Sequence, residues 1–321
     1  MPRFPPSTRA RLALATALAA LAGCGRSGDG RPDEELGGLV RDQAAATGKI
    51  DVEKAAKDRG ELARAVALTH DQIGSLVGPH AMAGRSHVEV REGATPVEVL
   101  DDETAVQLDS KGNYHAVLSN SKEYGREVFF VDGWMYLRPR YGKYHKRRPA
   151  DDAEPARVRG EIFGTVAAHF DLLSAGIAIS DGGKTEVQGR PARKVVIATA
   201  KDLDKRKETL SQRKWREGAI VKEVAGEIAL DEKTGVPLRA SLRGTVAFQR
   251  DGRSFEMRLE SSHELSAFGS VAVVAAPAAE ETIDDITQRH ELAERESLLQ
   301  GIAPPAHKAP TPGSGTPEPG K

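Results

Sequence analysis

Cys24 is the one thiol in 321 residues, and the residues before it decide what it can do. Arg3, Arg9 and Arg11 precede an apolar run from Leu12 to Leu21, and the small residues Ala22 and Gly23 lead into the cysteine. A basic head, a short apolar body and small residues that fit a peptidase cleft make a secretory signal, too short to span a bilayer. A thiol is itself a nucleophile when deprotonated. The other reactive side chains do not assemble. The nine histidines show no HExxH pair and no short metal-ligand spacing. There is no GxSxG elbow, no GxxxxGKS/T loop and no GxGxxG. His87, His115 and His145 lie in or beside predicted strands, where facing solvent is a plainer reading than convergence on a site. Asp101-Asp102, Asp151-Asp152 and Asp284-Asp285 fall in turn or helix-start contexts. No catalytic residue, metal or cofactor is expected.

Leu21-Ala22-Gly23-Cys24 resembles the lipobox of bacterial lipoproteins, in which the thiol receives a diacylglyceryl group and the chain is cut just before it. The expectation is a signal peptide over 1–23, a lipidated Cys24 and a membrane partner; the alternative is an ordinary signal peptide with a chance cysteine. Gly25 stands where an Asp would favour inner-membrane retention in enterobacterial systems, so an outer-membrane anchor facing the periplasm is expected of a diderm host. Lys143, His145, Lys146, Arg147 and Arg148, with Tyr141 and Tyr144, form a basic-aromatic cluster. It reads either as a solvated loop or as a surface that meets anionic headgroups or polymers.

Composition bounds the rest. With 46 basic and 47 acidic residues the net charge is -1, and no global field draws in nucleic acid. Without a second cysteine, disulfides and thiolate zinc sites are excluded. Residues 24–48, rich in Gly, Arg, Asp and Glu, read as a flexible tether. Residues 301–321 hold six prolines among Gly, Ser and Thr, and read as a tail without packed elements. One domain is expected over 49–300.

Within it, Asp51 to Val77 reads as a helix, with Leu62, Val66, Ile73, Leu76 and Val77 near one face. The apolar period then changes to two. Ser110-Lys111-Gly112-Asn113 marks a hairpin after Val106 and Leu108. Asp132-Gly133 suits a two-residue type I′ turn, which needs positive φ at both central positions. That turn pairs Val128 with Leu137 and Phe130 with Met135 on one wholly apolar face. Phe129, Val131, Trp134 and Tyr136 fall on the other, so both faces of this hairpin should be covered. A second helix carries the stripe Val158, Ile162, Val166, Phe170 and Leu173, ending near Gly176. Strands resume after Asp181-Gly182-Gly183, and a charged insertion over 201–217 reads as an exposed helix or loop. Asp251-Gly252 predicts another tight turn, which puts Val246, Phe248, Phe255, Met257 and Leu259 on one dry face. Thr282 to Gln300 reads as a closing helix, with Thr282 and Asp285 as a capping pair.

Gly226–Arg239 resembles the strand-turn-strand of LolA/LolB-like and LppX/LprG-like bacterial lipoprotein domains. Phe268–Pro277 is similar to the closing strand and proline of that superfamily, and Val187–Arg193 adds a looser match. The resemblance covers roughly Ser86 to Pro277. It implies an α+β fold, a strongly curved antiparallel β half-barrel with helices packed on the concave side. It also implies binding of acyl chains or lipidated ligands in a hydrophobic cavity, without chemistry on the ligand. The cavity would be lined by the dry faces, Val128, Phe130, Met135 and Leu137 from one hairpin and Val246, Phe248, Phe255, Met257 and Leu259 from the other. The alternative is an envelope interaction or sensor module whose half-barrel is filled by its own side chains.

Overall fold

A computed structural model describes residues 49–122, 125–139, 142–163, 165–204 and 211–284. The signal peptide, Cys24, the tether, Tyr141, the tail and the closing helix beyond residue 284 lie outside the described residues.

Three short helices open the body: α1 (Val52–Ala55), α2 (Arg59–Val66) and α3 (His70–Val77). The periodicity predicts one helix here, but capping chemistry divides it. Asp58 Oδ1 accepts the Glu61 N–H at 2.8 Å, and Thr69 and Gln72 form a reciprocal capping box. Each new cap starts a helix in a new direction. Leu62 and Val66 therefore reach one part of the core and Ile73 another.

Twelve strands follow in one sheet: β1 (His80–Glu92), β2 (Thr95–Leu108), β3 (Tyr114–Asn120), β4 (Gly125–Val131), β5 (Trp134–Pro139), β6 (Tyr144–Arg147), β7 (Ile177–Val187), β8 (Arg190–Thr199), β9 (Ile220–Asp231), β10 (Pro237–Arg250), β11 (Arg253–Ser266) and β12 (Thr282–Asp284). Their spatial order is β12-β6-β5-β4-β3-β2-β1-β11-β10-β9-β8-β7. Two meanders, β1–β6 and β7–β11, meet where β1 pairs antiparallel with β11. The fold is the α+β, curved, antiparallel half-barrel. Register shifts in β1/β2, β7/β8 and twice in β9/β10 mark bulges, which bend a sheet and increase its twist. Between β6 and β7 the chain returns from one side of the sheet to the other through α4 (Glu154–Phe163) and α5 (Thr165–Leu173). That return lays α5 across β10 and β11 on the concave face. At Gly244 a Cβ would lie 2.6 Å from Leu173, so the glycine is what lets α5 sit directly on the sheet.

Both predicted hairpin registers are observed, Val128 opposite Leu137 and Phe248 opposite Phe255. Asp132 and Gly133 have φ of 50° and 77°, and Asp251 and Gly252 have 52° and 72°. Several expectations need correction. The crossing helix is two helices. Asp181-Gly182-Gly183 is a bulge inside β7 rather than a lead into it, and the true hairpin turn is Gln188-Gly189, both at positive φ. Residues 267–278 form a turn and an extended segment, not a closing strand. Thr282–Asp284 is a strand, parallel to β6, where a helix is predicted. The end of the charged insertion is a 3-10 helix, Ser211–Gly218, that packs on β10 and is not simply exposed.

Candidate functional site

Each predicted set of inward-facing residues is gathered onto one face, and the two sets enter different clusters. Val246, Phe255, Met257 and Leu259 are buried with residues of α1, α2 and α5, and Val246 has 0% of its surface exposed. Phe248 is half-buried against them, its ring 5.5 Å from that of Phe255 and 4.9 Å from that of Trp215 in the 3-10 helix. Val128 and Met135, the latter also 0% exposed, lie in a second cluster with Ile73, Met82, Val106, Tyr114 and Leu265. Phe130 and Leu137 pack against that cluster.

Between the clusters the same face is polar. Alternation along β11 puts Phe255, Met257 and Leu259 inward and then continues through Ser261 and His263 before returning to Leu265. Ser86 stands opposite Ser261 and Asp102, and Gly84 opposite His263 and Thr104. Ser86 Oγ donates to Asp102 at 3.4 Å. Burial raises the pKa of Asp102, and the hydrogen bonds from Ser86 and Asn120 only partly oppose this. A cavity of about 10 Å³ lies here, lined by Ser86, Asp102, Thr104, His263 and Val166, enough for one water molecule.

The polar belt continues under α3 and α4. Arg159 is 4% exposed, pairs with Asp71 and lies 5.0 Å above the Tyr114 ring. Burial, with Arg159, His80 and His263 nearby, pushes His70 down to about 3. Burial also lowers His80, whose Nδ1 lies 2.8 Å from the Gly78 carbonyl. His263 falls to about 4 by burial, against a hydrogen bond with the Pro237 carbonyl, and buried His169 falls to about 4. Sequence reading missed this group. Extending the alternation of β11 by four residues, through Ser261, would have flagged His263; nothing local flags His70 or Arg159.

On the outer face, Val131, Tyr136, Tyr144 and Val274 form a third cluster against Phe129 and Trp134. The hairpin is thus covered on both sides, as its two apolar faces require. The cover is fastened by Asp109, which is buried and accepts the Val274 N–H at 3.0 Å. Burial would raise this carboxyl, but bonds from the Val274, Lys111 and Asn113 backbones and the Asn113 side chain hold it below its usual range. Glu127 receives His115 at 2.7 Å and the Arg138 guanidinium at 2.8 and 2.6 Å. His87 instead meets Asp101 at 2.6 Å, and His145 faces the other side of the sheet beside Leu137, so these three histidines share no site. Among the described residues no group of three or more His, Cys, Asp or Glu could hold a metal ion. A shallow trough of about 670 Å³ crosses β2, β1, β11, β10 and β9 on the outer face. Its charged walls are largely self-paired: Arg85 meets Glu103 at 3.4 Å and His87 meets Asp101.

No family model matches the chain, and no curated protein matches it. Among solved structures it is similar to the Mycobacterium tuberculosis lipoprotein LppX, at 12% identity and TM-score 0.28, over 68% of this chain and 100% of that one. It is similar to the Pseudomonas aeruginosa MucA/MucB complex, at 18% identity and TM-score 0.21, over 65% and 58%. A LolA superfamily protein from Nitrosomonas europaea matches at 9% identity and TM-score 0.20, over 68% and 99%. The chain spans about three-fifths of the length of the MucB chains it matches. Two of these, LppX and the LolA superfamily protein, bear the names of the resemblance drawn from the sequence. It is a likeness of fold; what the chain binds rests on its own residues.

Proposed function

We propose that this chain is a binding module of the bacterial envelope, anchored by acyl groups on Cys24 to the periplasmic side of the outer membrane. Its half-barrel is filled by its own side chains, and it engages a partner through its surface rather than carrying a lipid inside. The supporting observation is the packing of the nine inward-facing residues. They lie in two clusters, closed by α2, α3, α5 and Trp215 and separated by Ser86, Asp102, Ser261 and His263. An acyl chain laid along that face would cross the belt, and each buried polar group it stripped of a partner would cost about 1–3 kcal/mol. A chain confined to one cluster would have to displace side chains already in contact.

The test is Val246→Trp together with uptake of a fluorescent fatty acid. In a filled core the added ring overpacks the space between β10 and α5, lowering stability by about 1–3 kcal/mol or more in urea unfolding. Wild-type protein should take up no probe, and organic extraction followed by mass spectrometry should release no bound lipid. A tolerated Trp, with probe uptake that the Trp blocks, would return the acyl-chain cavity in place of this reading.

A further inference from the structure

Strand directions place the β2–β3, β4–β5, β7–β8 and β9–β10 turns and the end of β6 at one end of the sheet. The body begins at that same end. Ile50 packs against Gly235 in the β9–β10 turn, and Lys49 lines a hollow with Glu232. The tether therefore joins the body at this rim. A coil of about two dozen residues, the form that composition predicts for 24–48, spans a root-mean-square distance of about 27 Å, so the rim stays near whatever Cys24 is attached to.

The rim carries what remains of the basic-aromatic cluster. Alternation along β6 divides that cluster: His145 and Arg147 turn to the concave side, where Arg147 is neutralised by Glu154 at 2.6 Å, while Lys146 shares the outer face with Trp134. Lys143 is exposed at the far end of the strand. Trp134, the first residue after the β4–β5 turn, is half-buried and packs on the outer aromatic cluster. The Arg148 guanidinium lies 3.9 Å from its ring centroid and the Lys146 ammonium 4.6 Å. Arg148 donates to the Gly133 carbonyl at 3.0 Å, which pins it over the indole, and among the described residues no carboxylate pairs with it. Among the described residues Lys146 pairs only with Asp284, at 3.9 Å. Lys111 is exposed in the adjoining turn, whose Asn113 accepts the Asp132 N–H at 3.1 Å. Two acids lie in these turns: the exposed Asp132, and the buried Asp109, which accepts the Lys111 N–H at 2.8 Å.

We propose that this rim rests on an anionic phospholipid surface, with Trp134 at headgroup level and Arg148, Lys146 and Lys111 against the phosphates. An indole flanked by cations suits a boundary where apolar chains meet charged oxygens, and each Lys or Arg there adds to binding of an anionic leaflet. The contact makes the acyl anchor one of two membrane signals and fixes which end of the half-barrel faces away from the bilayer. It takes its geometry from the Cys24 anchor in the proposed function and is independent of whether the core is filled.

The experiment uses the chain from residue 24 onward with Cys24→Ser, so that no acyl group contributes, sedimented with vesicles of phosphatidylcholine alone or with one-quarter phosphatidylglycerol. Binding should require phosphatidylglycerol and weaken at high salt. Lys146→Gln with Arg148→Gln should lower affinity about 30-fold, and Lys111→Gln about five-fold. Lys143→Gln, the same charge change at the opposite end of β6, should leave binding within about two-fold. Absence of binding, binding indifferent to phosphatidylglycerol, or an equal loss in Lys143→Gln would each overturn the proposal. Because the acyl group is absent throughout, the anchor at Cys24 and this surface can fail separately.

Discussion

At the residue scale the buried histidines set the pH response. His70, His169 and His263 have folded pKa values of about 3, 4 and 4, against 6.5 when unfolded. Their pKa values are depressed by folding, so the unfolded chain binds protons first as pH falls. Stability is full above about 6.5 and declines from there down to about 3–4. At pH 5 each of the three removes about 2 kcal/mol, since one pKa unit is about 1.4 kcal/mol. Glu154 adds to the loss at lower pH. Its carboxyl is held at about 2 by Arg147, so its contribution disappears between the usual 4.5 and 2. Urea midpoints should therefore drop markedly between pH 7.5 and 5, and His263→Gln should flatten part of that slope. A midpoint unchanged over this range would mean that the histidines are hydrated in solution.

At the element scale, the helices that close the concave face depend on caps more than on length. Isolated helices of eight residues are marginal in water, and packing supplies most of their stability. In α3, Gln72 N–H donates to Thr69 Oγ1 at 3.3 Å and Thr69 N–H donates to Gln72 Oε1 at 2.8 Å. Thr69→Ala should cost about 1 kcal/mol in chemical unfolding, with hydrogen exchange accelerated over residues 70–77 and little changed in β10 and β11. Exchange that rises equally everywhere would show that α3 does not open on its own. The same caps explain why periodicity alone predicts one helix over Asp51–Val77. Apolar spacing survives a change of direction, whereas the backbone is redirected by two side-chain oxygens, Asp58 and Thr69, acting through their third following residues.

At the scale of the whole molecule, the anchor proposed at Cys24 is the point to test, since it lies outside the described residues of the sheet. Cys24→Ser should move the protein from the membrane fraction to the soluble fraction after a salt wash, because a weak anionic contact at the rim is screened by salt while acyl burial is not. Protein that stays wholly with membranes after that wash would remove the anchor. The strand order leaves the long β7 at one edge and the three-residue β12, paired with β6, at the other. The bulge of β7, where Gly182 is the extra residue, and the exposed Lys184 are features that discourage a further strand from pairing there.

The two hairpins, their registers and the residues that share each face are legible in the sequence. Those features are local: Asp-Gly at positive φ fixes the turn, and a period of two then assigns every side chain to a side. The sequence also carried the half-barrel resemblance and the double covering of the β4–β5 hairpin. Which dry residues meet depends on how the strands are ordered in space. Val246 and Met135 both point inward, yet they join separate clusters, because β3, β2 and β1 lie between their hairpins and because β1 and β11 bring Ser86 and Ser261 to the middle of the face. The convergence of His70, His80, Arg159 and His263 is equally invisible along the chain, since these residues come from α3, β1, α4 and β11. Thr282–Asp284 became a strand because β6 offered an unpaired edge. Pairings between residues far apart in sequence are set by the strand order and by the packing of helices over the sheet, and neither leaves a periodic mark on the segments it joins.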